Sequence, residues 1–128
     1  MNINTIISVG EFFDKITILE IKKKKIHDKE KLSNVNNELT ELRNIEQTYN
    51  LKSFQLNNLI KKLYNVNLEL WNIEDKIRVL EKSKSFDSEF IQLARSVYIT
   101  NDLRANLKKE INIKSKSNLI EEKSYEKY

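Results

Sequence analysis

The chain contains no cysteine and no proline, one glycine and one histidine in 128 residues. Each shortage closes a class of function. Without cysteine there is no disulfide, no thiolate nucleophile and no sulfur-bound metal. A single imidazole, His27, is too few for a histidine-based metal centre, which leaves only a carboxylate site for a hard cation. With Gly10 the only glycine, no glycine-rich phosphate loop can be built. Turn signals are correspondingly few. Apolar runs are short and broken by charge, far from the roughly 20 residues a membrane-crossing helix needs. The opening stretch MNINTIISVGEFFDKI has no basic region ahead of an apolar core, so no signal peptide is expected. The expectation is a soluble, cytoplasmic protein with no membrane association, no metal and no cofactor.

What is abundant is helix-forming sequence with apolar residues three and four apart, and strand-like alternation is scarce. A chain of this length fits one domain, residues 1–128. SVGE, Ser8 to Glu11, matches a capping box and opens a first helix over about Val9 to His27. Phe12, Phe13, Ile16 and Leu19 share its apolar face. Asp28 reads as the N-cap of a second helix, to about Tyr49, whose Leu32, Val35, Leu39 and Leu42 make a coiled-coil-like seam. Asn50 to Ser53 is the expected loop, with Ser53 capping a third helix that runs to about Lys82. Asp87 caps a fourth helix, to about Ile113, with a kink expected near Thr100. From about residue 114 the chain is an irregular tail or a short last helix. The expected fold is all-α: four main helices, with helices two and three as an antiparallel hairpin packed on helices one and four.

Net charge is +4 and the isoelectric point about 9.2. Lys, Asn and Ile are frequent together, as a biased genome would produce, and no nucleic-acid fold signature accompanies the charge. A nucleic-acid partner is therefore not expected. The run Lys22 to Lys25 reads as a solvated face. Arginine is rarer, at Arg43, Arg78, Arg95 and Arg104. A planar forked donor is not interchangeable with lysine, so each is worth placing.

The fourth helix raises the central question. An ideal helix advances roughly 100° per residue. On that wheel the stripe of Phe90, Leu93, Ala94 and Val97 continues into Asn101, Arg104, Lys108 and Asn112. Helix one likewise carries Glu20 in its seam, followed by Lys23 and His27. Helix three carries Asn67 and Glu74, with Arg78 beside them. Lone buried charges are too costly to keep, so these groups must pair, hold a ligand or face water. Glu20 and Glu74 are complementary to Arg104 and Lys108, and Arg95 and Tyr98 flank the same stripe. Glu20, Glu74, Arg78, Arg95, Tyr98, Asn101, Arg104 and Lys108 are thus the candidate ligand-binding set, with no catalytic residue assigned. His27 is a bystander or a general base.

The segments SVGEFFDKITILEIK, LWNIEDKIR, FDSEFIQLARSVYITNDLRANLKKEIN and LIEEKSY resemble an uncharacterised family of small bacterial proteins. The resemblance spans nearly the whole chain and includes most of the inward polar residues. It implies a recurring single fold unit and carries no activity. DKITILEIKKKK is also similar in shape to the first helix of all-helical chorismate mutases. Helix one here has no arginine and a different order of charges, so that likeness transfers no reaction.

Two functions lead, and a weak nucleic-acid binder ranks third. One is a non-enzymatic helical module that binds itself, as a homodimer, or a protein partner; polar seam residues then fix which helix pairs with which. The other is a binding or catalytic cleft for a small anion, a phosphorylated metabolite or nucleotide sugar, held by Arg104 and Lys108. The first is favoured, so the chain is read as leaning away from an enzyme.

Overall fold

A computed structural model describes residues 1–128, apart from the side chains of residues 53 and 54. Four helices form in order: α1 (Val9–Lys25), α2 (Lys29–Thr48), α3 (Asn57–Lys82) and α4 (Ser88–Lys114), with a 3-10 turn at Leu51–Phe54 before α3. Three helices start on caps visible in the sequence. Ser8 Oγ accepts from the Glu11 amide, Asp28 Oδ1 from the Lys31 amide and Asp87 Oδ1 from the Glu89 amide. The cap expected at Ser53 lies outside the described residues; α3 begins at Asn57, after Leu56, with no side-chain cap.

The helix ends show how a glycine-poor chain turns. Asn50, Gln55, Lys84 and Lys116 all adopt left-handed backbone conformations. After α3, the Ser85 amide donates to Leu80 O and the Lys84 amide to Glu81 O. After α4, the Ser117 amide donates to Asn112 O and the Lys116 amide to Ile113 O. Both are Schellman ends with lysine at the position glycine usually takes. α4 is one continuous helix across Thr100.

The expected pairing of helices two and three is not what forms. α1 is central, packing on α2, α3 and α4, while α3 and α4 make the most extensive pair and α2 hardly meets α3. The reason lies in α1. Phe12, Phe13, Ile16 and Leu19 cover one side, and Gly10, Asp14, Thr17 and Ile21 are buried on another. A helix buried on most of its circumference must be surrounded. The seam of α2, through Val35 and Leu39, therefore docks on α1 instead of α3, in one core with Leu56, Leu63 and Ile111.

α3 and α4 also extend beyond this core. Past Ile73 no residue of α3 is buried, and none of α4 is buried before Thr100. The two halves form an arm held by its own seam, with Phe86 and Phe90 edge to face at 5.1 Å near its tip. The hydrogen bonds from α4 to α1 come from its second half. The residues following α4 form no helix and run back along it.

Candidate functional site

The inward polar residues of α4 meet α1 as a ladder with one rung per turn. At the first rung Arg104 grips Asp14 with two donors: Nε donates to Oδ1 at 2.9 Å and Nη2 to Oδ2. Asp14 is almost wholly buried, at 1% exposure. From α3, Asn67 Nδ2 donates to Asp14 Oδ1 at 2.9 Å and to Thr17 Oγ1 at 3.0 Å. Thr17 in turn donates to the Asp14 carbonyl. One carboxylate thus gathers three helices, with every contact charged or hydrogen-bonded, as burial of a charge demands.

At the second rung Lys108 Nζ lies 2.8 Å from Glu11 Oε2, 2.7 Å from Glu121 Oε2 and 3.9 Å from Asp14 Oδ2. Glu11 was expected to complete the capping box by bonding back to Ser8. Its carboxylate goes to the ammonium of Lys108 instead, because that cation is brought within reach by α4. At the third rung Asn112 Oδ1 accepts from the Gly10 amide at 2.6 Å, and Ser117 Oγ accepts from the Val9 amide at 3.2 Å. Helix starts leave amides without partners inside the helix. Here α4 and the turn after it supply two of the acceptors for α1. Gly10 is what permits the approach: a Cβ there would sit 2.4 Å from Lys108 O.

The field of the cluster follows from these contacts. The Arg104 guanidinium is held above its ordinary value, chiefly by its hydrogen bond to Asp14, against the opposing pull of burial. Burial also works against the Lys108 ammonium, but the hydrogen bonds to Glu11 and Glu121 and the Asp14 charge more than offset it, and its pKa is raised. The hydrogen bond from Lys108 draws the Glu121 carboxyl below its ordinary value. Three carboxylates, from Asp14, Glu11 and Glu121, therefore face two cations.

The other residues singled out in the sequence lie elsewhere. Glu20 pairs with Arg43 of α2, which also holds the buried Glu46 at 2.7 Å. With Lys23 and Lys24, Glu20 borders an open groove over Leu39 and Thr40. Glu74 pairs with Arg78 at 3.2 Å on the exposed surface of the arm. Neither glutamate reaches Arg104 or Lys108. On the arm α3 has one helical neighbour, so the flank of its stripe opens to water. Arg95 is exposed and Asn101 half-buried. Tyr98 packs edge-on against Tyr128 of the tail at 5.1 Å. His27 is exposed just past the end of α1. Among the described residues, no three His, Cys, Asp or Glu side chains come together in a way that would hold a metal ion. Among the described residues, too, no helix is long and apolar enough to cross a membrane.

Asp14, Glu11, Thr17 and Glu121 were missed from the sequence. A signal existed for two of them. Gly10, Asp14 and Thr17 are spaced i, i+4 and i+7, which lays a small and polar stripe along one face of the most apolar helix. Glu121 falls in the LIEEKSY segment, but its helix-free tail has no period from which a direction could be read.

These features define a four-helix protein organised on a part-buried ladder of ion pairs and hydrogen bonds. The chain belongs to a family of unknown function, DUF6165, whose model matches residues 3–128. No curated protein and no solved structure matches the chain.

Proposed function

We propose that the protein is a non-enzymatic helical module that acts by associating with itself or with a protein partner. The charge balance of the ladder carries this. A site for an anion needs surplus positive charge, yet Arg104 and Lys108 are engaged by three of the chain's own carboxylates. Bonds that join α1, α3 and α4 around Asp14 account for the inward residues as architecture. Buried ionic groups of this kind add little net stability but can select one arrangement of helices.

One observation favours an anion site as a second reading. Glu121 reaches Lys108 from the tail, not from the helices, and a cavity of about 110 Å³ lies between the tail and α4, beside Lys108 and Lys109. With Glu121 and Glu122 withdrawn, Arg104, Lys108 and Lys109 would face only Asp14 and Glu11, a surplus of one positive charge for an incoming phosphate to meet.

The thermal melt of Arg104→Met beside the wild type separates the two. Methionine keeps length and removes charge, leaving Asp14 buried with Asn67 and the more distant Lys108. Breaking a buried pair costs about 3–5 kcal/mol, and a loss of about 3 kcal/mol is expected here. An unchanged melt, together with a wild-type melting temperature that climbs with the logarithm of inorganic phosphate or nucleotide-sugar concentration, would transfer the case to the anion site.

A further inference from the structure

We propose that the outward face of α4 is where a second copy of this chain docks, antiparallel, with Arg95 of each chain paired to Asp102 of the other. This rests on the association reading above and names its partner and surface. Opposite the ladder, α4 presents Ile91, Tyr98, Ile99 and Leu103, which are 40–53% exposed even with the tail in place. On the helical wheel they lie within about 140° of one another, with Arg95 and Asp102 among them. An apolar stripe of this kind on a long helix is characteristic of a surface that pairs.

Its charges select a second copy over an unrelated helix. Arg95 and Asp102 are opposite in sign and seven positions apart, about 10 Å along the axis. Their midpoint falls between Tyr98 and Ile99, at the centre of the apolar stripe. A two-fold axis through that midpoint sets Arg95 of one chain level with Asp102 of the other, twice. It also sets Tyr98 against Ile99. An isologous contact requires this self-complementarity, residue i meeting j and j meeting i. The face already accepts such partners in the single chain: Tyr128 Oη donates to Asp102 Oδ2 at 2.7 Å, and its ring meets Tyr98. Tyr128 is itself 78% exposed and gives way to the incoming helix.

The test is sedimentation equilibrium over a range of concentrations on four full-length chains: wild type, Arg95→Asp, Asp102→Arg and the double exchange. Circular dichroism melts of each confirm folding, and both positions lie on the side of α4 away from the ladder. The wild type is expected to dimerise. Each single exchange creates two like-charge contacts and should weaken the dimer about tenfold or more. The double exchange restores both pairs and should return the dissociation constant to near that of the wild type. A dimer indifferent to all three exchanges overturns this surface while leaving self-association standing. A wild type that stays monomeric overturns the second copy as occupant and leaves the module dependent on another protein.

Discussion

At the scale of single residues, close approach and charge decide the outcome. Gly10 lies in the first turn of α1, where alanine would ordinarily improve a helix by about 1 kcal/mol. Here the added methyl would meet the backbone of Lys108, its O at 2.4 Å and its C at 3.0 Å, and the Asn112 side-chain Oδ1 at 2.9 Å. Overpacking costs about 1–3 kcal/mol, and backbone yields less than a side chain does. Gly10→Ala should therefore lower stability by about 1–2 kcal/mol in urea denaturation, reversing the sign expected from propensity. Glu121 gives a second residue-level outcome. Its folded pKa is depressed by Lys108, below the ordinary 4.5. A depressed carboxyl contributes stability above its unfolded value and loses it as pH falls through the folded one. The tail contact should accordingly hold at neutral pH and fail only below 4.5, with the Glu121 carboxyl carbon titrating there by NMR. In Lys108→Met the same resonance should move back up.

At the scale of elements, caps and periodicity were the most legible features, because both are local. Ser8, Asp28 and Asp87 start their helices where the sequence placed them. Pairing was not legible in the same way. Both α2 and α3 carry good seams, and nothing within either says that α1 lies between them. The helix ends lead to a further outcome. Lys84 and Lys116 hold φ of 57° and 56°. A left-handed residue other than glycine costs about 1–2 kcal/mol. Lys84→Gly should stabilise the protein by about 1 kcal/mol, seen as a raised melting temperature, since among the described residues the Lys84 side chain makes an exposed ion pair at 3.8 Å and glycine keeps the backbone bonds. Lys116→Gly should act in the same direction. The four-helix, all-α fold was thus evident from the sequence, and its neighbours were not.

At the scale of the whole molecule, the sequence pointed correctly to inward charge on α4 and wrongly to its counter-ions. Arg104, Lys108 and Asn112 were identified because their stripe is long enough to follow on a wheel. Glu20 and Glu74 were assigned to them because complementary sign was the only criterion that one dimension offers. In three dimensions the partners are Asp14, Glu11 and the Gly10 amide, set by the antiparallel crossing of α1 and α4. The arm was also hidden. A helix that leaves the core halfway along keeps its apolar period, so only the change from apolar to polar filling of the stripe near Thr100 marks the boundary.

The ladder also governs when the molecule can be finished. Asp14 and Arg104 are 90 positions apart, and the Val9 amide waits for Ser117 across 108. During synthesis Asp14 is made long before its counter-ion exists, at the centre of what will be the core. Chains emerge at about 5–20 residues per second, so the first helix spends several seconds or more with that carboxylate unanswered. It cannot close around Asp14 until α4 has emerged. The N-terminal half is therefore expected to stay unfolded by itself, as circular dichroism of that fragment would show, with assembly completed from the last helix back onto the first.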